Sequence, residues 1–140
     1  MQDINRSDIE NRCNEISGAF QGVLSWKWDD RFETVLAEFD VDNIDSVRAI
    51  LERYLGTTWD SSNIGNAPDA VYRVNDDFGG LMPGQFLFTS DPDQDGFVYC
   101  AWWPWGNGNT VSLRIAPSQG KLSASGKDEQ ITMLKACFGI

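Results

Sequence analysis

Apolar positions follow a helical spacing in the first half of the chain and alternate in the second half. The helical spacing predicts three N-terminal helices, at about residues 8–21, 31–39 and 44–55. The second of them is inferred from four apolar positions at helical intervals, Phe32, Val35, Leu36 and Phe39. Asp30 and Glu33 are spaced as the two ends of a capping box, which favours a helix start there. The segment 23–28 fits either a strand or a connection.

The alternating half predicts a small antiparallel sheet followed by one helix. The three strands are expected at about 85–89, 97–103 and 110–115, and the helix at about 127–137. The loops between the strands are short enough for a meander. Helices segregated from an antiparallel sheet define an α+β fold, and 140 residues suit one domain over residues 1–140.

The segment Phe97–Trp103 (FVYCAWW) is apolar at both sets of alternating positions. A strand with two apolar faces is expected in the centre of a sheet, so Trp102 and Trp103 are mainly assigned to the core. Trp105 follows a proline and precedes Gly-Asn-Gly-Asn, which places it in a hairpin loop. An indole in a loop can stack on sugars, rings or partner side chains. The candidate binding residues here are Trp103, Trp105, Asn107 and Asn109.

A second candidate lies at the other end of the same strand, in an acidic turn. Asp91, Asp93 and Asp95 alternate and are followed by Gly96, like the first half of an EF-hand calcium loop. The twelfth position of that loop should supply a bidentate glutamate, and Trp102 stands there instead. The three carboxylates are therefore candidates for Ca²⁺, for a plain hairpin turn, or for a partner's basic side chains.

The charge of the chain bears on the kind of partner. Its net charge is −10, and 19 of its 21 carboxylate side chains fall within residues 1–95. An acidic protein repels phosphate backbones, so a nucleic-acid partner is not expected. The charge favours a basic protein partner, or serves only to keep the protein soluble.

The chain has no histidine, and this excludes several kinds of catalytic site. The absence removes the Ser-His-Asp triad, the Cys-His dyad and histidine-ligated zinc or iron. Cys13, Cys100 and Cys137 are widely spaced with apolar neighbours, which indicates reduced core thiols. A non-catalytic protein is favoured, and a carboxylate-dependent hydrolase is the remaining enzymatic alternative.

No stretch of the sequence has the length and apolarity of a membrane-spanning helix, so no membrane association is expected. The N-terminus has neither the basic nor the apolar region of a signal peptide. A cytoplasmic protein is the default expectation from these two features.

Three segments together resemble the SUKH-type bacterial immunity domains. They are Glu52–Gly56 at a helix end, Pro68–Tyr72 leading to Asp77–Gly80, and Trp105–Asn109 before a strand. The chain departs from that pattern at Phe78, where the family has asparagine, and by one residue between Pro68 and Tyr72. The resemblance covers about half of the chain. It implies an α+β immunity protein that neutralises a toxin, with no catalytic residues to carry over.

These features predict a small acidic binding protein, possessing no cofactor, that occludes a basic protein partner. The alternative is a small-molecule or carbohydrate-binding domain with a pocket lined by Trp and Tyr side chains. A second alternative is the hydrolase. The oligomeric state is left open by the sequence.

Overall fold

The alternating segments of the second half and part of the first half join in one antiparallel sheet. The computed structural model describes residues 3–92, 97–118 and 123–140. Within these residues the chain forms four α-helices and six strands. Their bounds are α1 Asp3–Ala19, β1 Lys27–Asp29, β2 Thr34–Asp40, α2 Ile44–Tyr54, β3 Thr57–Trp59, α3 Asp69–Asp77, β4 Phe86–Thr89, β5 Val98–Pro104, β6 Thr110–Pro117 and α4 Ala124–Cys137.

The strands are hydrogen-bonded in the order β1-β2-β6-β5-β4-β3, and every neighbouring pair is antiparallel. The α+β class agrees with the sequence prediction. The predicted three N-terminal helices and three-stranded sheet (about 85–89, 97–103, 110–115) are wrong, because the N-terminal half contributes three further strands. The three predicted strands correspond to β4, β5 and β6. These are adjacent in the sheet, with β6 and β5 at its centre and β4 next to the edge strand β3.

The segment predicted as a helix over 31–39 is instead a hairpin and a strand. Val35 and Phe39 suit a helical stripe, but Val35, Ala37 and Phe39 also alternate, and all three are buried. Pairing with β6 along the length of β2 decides between these two periods. Asp30 and Glu33 therefore belong to the β1–β2 turn rather than to a helix cap.

One face of the sheet, here called the covered face, packs on α1, α2 and α4. It carries the alternating apolar side chains of the central strands, and their burial defines the core. These are Val35, Ala37 and Phe39 of β2, Val98, Cys100 and Trp102 of β5, and Val111, Leu113 and Ile115 of β6. Helix contacts to this face include the Arg48 guanidinium of α2 over the rings of Phe86 and Phe88.

The opposite face, here called the outer face, is covered only in part among the described residues. Phe78, at the C-terminal end of α3, packs edge-on against Tyr99 and Trp103 of β5. The β1–β2 turn adds Phe32, whose ring also contacts Trp103. Beyond Trp103, towards the β5–β6 turn, the outer face becomes more exposed. The candidate site lies on this end of the sheet.

Candidate binding surface

Trp103 and Trp105 lie on the same face of the sheet. Side chains alternate along a strand, so Tyr99, Ala101 and Trp103 share the outer face. The pairing continues past the end of β5, where the Trp105 N–H donates to the Thr110 carbonyl oxygen at 2.8 Å. Trp105 is thus the next outer-face position, at the exposed end of the row.

The Trp105 ring leans across β6 and remains accessible. Its indole Nε1 donates to Ser112 Oγ at 2.6 Å, and Ser112 lies directly opposite Trp103. The side chain is 43% exposed. The hydrogen bond fixes the orientation of the ring, so the exposed part of the indole is a preformed surface rather than a freely rotating side chain.

The two asparagines of the Gly-Asn-Gly-Asn segment shape the turn that carries Trp105. Asn107 Oδ1 accepts a hydrogen bond from the Asn109 backbone N–H at 2.8 Å. Gly108 adopts a φ of 74°, a left-handed conformation that favours glycine. The Asn109 carbonyl oxygen accepts from the Val41 N–H at 2.9 Å and ties the turn to the end of β2. Asn107 and Asn109 therefore position the turn.

Two carboxylates of β2 share the outer face with these tryptophans. Glu38 is opposite Ser112, which is opposite Trp103. Asp40 is opposite Thr110, which pairs with Trp105. Both carboxylate residues are exposed. Two strand spacings separate β2 from β5, so each carboxylate column is about 10 Å from its tryptophan column before the side chains lean.

Within the described residues each carboxylate contacts one neighbouring group. Lys27 Nζ lies 3.8 Å from Glu38 Oε1, and the lysine side chain is 64% exposed. Asp40 Oδ1 accepts from the Asp42 N–H at 3.1 Å and caps the 3-10 turn at Val41–Asn43. Such an exposed ion pair contributes little to stability, so Glu38 can exchange its partner at low cost.

Further along the outer face, Arg114 is held between two rings. Its guanidinium lies 4.8 Å from the Trp103 ring centroid and 5.2 Å from that of Phe32. Its Nε donates to Asp29 Oδ2 at 2.6 Å, and both side chains are largely buried. This group fastens the β1–β2 turn onto the sheet and supports one side of Trp103.

Tyr99 lies deeper on the same face and belongs to the interior. Burial raises the pKa of its hydroxyl, and the carboxylates of Asp77 and Glu33 raise it further. Its ring packs edge-on against Phe78. Glu33 adopts a φ of 55°, unusual for a residue other than glycine, in the turn that carries Phe32. Tyr99 is thus a buried neutral phenol.

The acidic turn lies only partly within the described residues. Asp91 is exposed, whereas Asp93 and Asp95 lie outside the described residues. Trp102, at the position where an EF-hand loop has its glutamate, is 3% exposed on the covered face. Among the described residues no group of three or more Cys, Asp or Glu is arranged to hold a metal ion. The Ca²⁺ assignment stays a prediction.

The three thiols are placed in or beside the interior. Burial raises the pKa of Cys13 to about 12, with a further contribution from Cys137, and burial also raises the pKa of Cys100. Burial and the Glu10 carboxylate raise the pKa of Cys137, which is only partly buried. Because the thiolate is the nucleophile, these environments suppress thiol chemistry.

Native-state alkylation checks this assignment. With iodoacetamide at about pH 8, we expect Cys137 to react first, and Cys13 and Cys100 to react only after unfolding in urea. Mass spectrometry of tryptic peptides measures each site. In Cys137→Ser, labelling of the folded protein should nearly vanish. Rapid modification of Cys100 in the folded protein would contradict its burial.

The sequence reading missed Glu38, Asp40 and Arg114 as parts of this surface. The predicted helix over 31–39 contains Glu38 in its last turn and ends just before Asp40, so it gives neither carboxylate a relation to Trp105. Alternation of Leu36, Glu38 and Asp40 against Val35, Ala37 and Phe39 is the signal that could have found them. Trp103 and Trp105 share the outer face, and Asn107 and Asn109 form the turn that follows Trp105, whereas Asp91 follows β4.

No protein-family model matches the chain, and neither the curated proteins nor the solved structures include a match. None of the described helices is long and apolar enough to cross a membrane. The fold and the surface define an acidic α+β domain with an aromatic and carboxylate strip on one sheet face.

Proposed function

We propose that this chain is a small, acidic, non-catalytic binding protein of the cytoplasm that occludes a basic protein partner, in the manner of an immunity protein or antitoxin. The observation that carries the proposal is the exposed indole of Trp105 on a sheet face shared with Glu38 and Asp40. Fixed aromatic side chains provide most of the energy in many interfaces, and carboxylates beside them select a positive partner.

The overall charge supports the same partner class. A net charge of −10 on 140 residues produces a negative field that steers a basic protein towards the surface. The groups with raised pKa, namely the three cysteines and Tyr99, are buried or partly buried and held in their neutral form. This chemistry suits binding better than turnover.

The partner can be tested as a complex of two expressed proteins. The chain is co-expressed with the product of each neighbouring gene, and native mass spectrometry reports the stoichiometry. We expect a stable complex with a basic protein, and a Kd that weakens at least about tenfold between low and high salt. A complex whose Kd does not change with ionic strength would contradict the role of charge. Failure of every basic neighbour to bind would contradict the proposal itself.

One observation favours the alternative of a small-ligand site. The Trp103 indole nitrogen is buried and has no hydrogen-bond acceptor among the described residues. A small ligand could supply the missing acceptor beside the rings of Phe32 and Phe78, which pack against Trp103. Trp fluorescence against a panel of sugars and aromatic ligands tests this, with Trp103→Phe as the control. No shift with any ligand would dismiss this alternative.

A further inference from the structure

The strip that joins the β5–β6 turn to β2 has the dimensions of a site for one arginine side chain. It consists of Trp105, Thr110, Ser112, Glu38 and Asp40, and is here called the Trp105 strip. Its tryptophan column and its carboxylate column are about 10 Å apart. The Trp105 indole leans across β6 and shortens this separation, so one cation can lie within ~6 Å of the ring centroid and within ~4 Å of a carboxylate oxygen.

We propose that the Trp105 strip is the docking surface for an arginine of a basic protein partner, which stacks on Trp105 and pairs with Glu38 and Asp40. The proposal rests on the proposed function and names the partner chemistry of its surface. Ser112 is only 5% exposed and Thr110 is partly buried. Ser112 accepts the hydrogen bond from the Trp105 indole, and both β6 side chains between the two columns are small, so no bulky side chain separates the indole from the carboxylates.

The protein already uses this arrangement once within its own fold. Arg114 of β6 lies over the Trp103 ring of β5, and its Nε donates to Asp29 of β1, the edge strand beyond β2. In the Trp105 strip the ring is also on β5, and the carboxylates are on β2, one strand nearer to the ring than Asp29 is to Trp103. The partner's arginine would repeat the internal pattern at the exposed end of the sheet.

Arginine suits the strip better than lysine. A guanidinium is planar, so it stacks on an indole and still presents N–H groups at its edge to a carboxylate. A lysine ammonium is a more strongly hydrated point charge and loses the stacking contribution. We therefore expect arginine peptides to bind more tightly than lysine peptides of equal charge.

The first experiment uses the peptides acetyl-(Gly-Arg)₄-amide and acetyl-(Gly-Lys)₄-amide with the full chain. Indole N–H resonances in ¹H–¹⁵N NMR spectra report which tryptophan is affected, and the titration gives Kd. We expect the largest shift at Trp105 and a lower Kd for the arginine peptide. Equal affinities, or a largest shift at another tryptophan, would overturn the assignment.

The second experiment compares matched variants. Trp105→Ala and the double variant Glu38→Gln/Asp40→Asn should each weaken the arginine peptide about five- to tenfold. Asparagine at position 40 retains the cap on Asp42, and glutamine retains the shape of Glu38. Circular dichroism melts check that the variants fold.

Two control variants match the strip variants in the exposure of the side chain or in the charge removed, but they change residues outside the Trp105 strip. Tyr72→Ala removes an aromatic side chain that is 44% exposed, against 43% for Trp105. Asp8→Asn/Glu15→Gln removes two exposed charges from α1, on the covered side of the sheet. We expect each control to change Kd by less than about twofold. Controls that weaken binding as much as the strip variants would reduce the effect to net charge and overturn the proposal.

A variant expected to gain affinity separates recognition from mere loss of structure. Lys27→Met removes the cation that contacts Glu38, and should lower the Kd of the arginine peptide about twofold. An unchanged or higher Kd would contradict a role for Glu38. If the strip variants leave the Kd of the natural complex unchanged, this inference is wrong while the proposed function stands. Failure of any basic protein to bind would instead remove the proposed function.

Discussion

We expect Asp29→Ala to destabilise the fold by about 3 kcal/mol, a large part of the ~5–15 kcal/mol typical of a domain. Arg114 Nε donates to Asp29 Oδ2, and the two side chains are only 18% and 13% exposed. Removing the carboxylate leaves a guanidinium enclosed between the rings of Trp103 and Phe32 without its charged partner. Unfolding in urea, followed by far-UV circular dichroism, measures the change.

The double variant Asp29→Ala/Arg114→Met is the control for this expectation. Methionine keeps apolar contact with the two rings and carries no charge, so the double variant should regain much of the stability that Asp29→Ala loses. If the double variant is as unstable as the sum of both single variants, the two residues act independently and the ion pair does not hold the turn. Asp29→Ala within about 0.5 kcal/mol of the parent would also contradict it.

The consequence of this pair reaches the binding surface. Asp29 ends β1, and the turn that follows carries Phe32 onto Trp103. Without the ion pair the β1–β2 turn is no longer held on the sheet, and Phe32 no longer packs firmly on Trp103. Trp105 keeps its own hydrogen bond to Ser112. We therefore expect Asp29→Ala to lose stability but only a modest part of its affinity for the arginine peptide. That result would show that the Asp29–Arg114 pair and the Trp105 strip act independently.

The segment 31–40 shows why the sequence predicted the class of the fold but not its sheet. Four apolar residues there satisfy a helical period over two turns, and the same segment satisfies alternation from Val35 onwards. The structure of such short segments is decided by partners distant in sequence, and the β6 partners of β2 are 70 to 80 residues away. The strands of the second half were predictable because alternation and β-branched residues agree over Thr110–Ile115.

The tryptophan part of the candidate surface could be predicted from the sequence, but its carboxylate part could not. Trp105 stands out because Pro104 and the Gly-Asn-Gly-Asn turn isolate it from the apolar run, and the structure leaves it exposed. Its relation to Glu38 and Asp40 depends on the register of β2 against β6, in which Asp40 is opposite Thr110. Alternation within β2 predicts that Glu38 and Asp40 share one strand face, but only the pairing of β2 with β6 brings that face beside the tryptophan.

Trp102→Ala is the other substitution with a large expected effect, about 3–5 kcal/mol. Trp102 is 3% exposed, and its ring packs edge-on against Phe39 of β2 and Phe88 of β4. It joins strands on both sides of β5, so its truncation opens a cavity in the middle of the covered face. Trp102→Phe should cost less, because a phenyl ring keeps part of those contacts.

The matched comparison is Trp105→Ala, three residues further along the chain. Trp105 is 43% exposed and loses one hydrogen bond, so its truncation should cost at most about 1 kcal/mol. Urea unfolding followed by circular dichroism suits both variants, since tryptophan fluorescence changes with the substitution itself. Equal destabilisation by the two would mean that Trp105 is as much a core residue as Trp102. We expect Trp102→Ala to lose much stability and only Trp105→Ala to lose affinity for the arginine peptide. That result would show that Trp102 stabilises the fold and that Trp105 binds the partner.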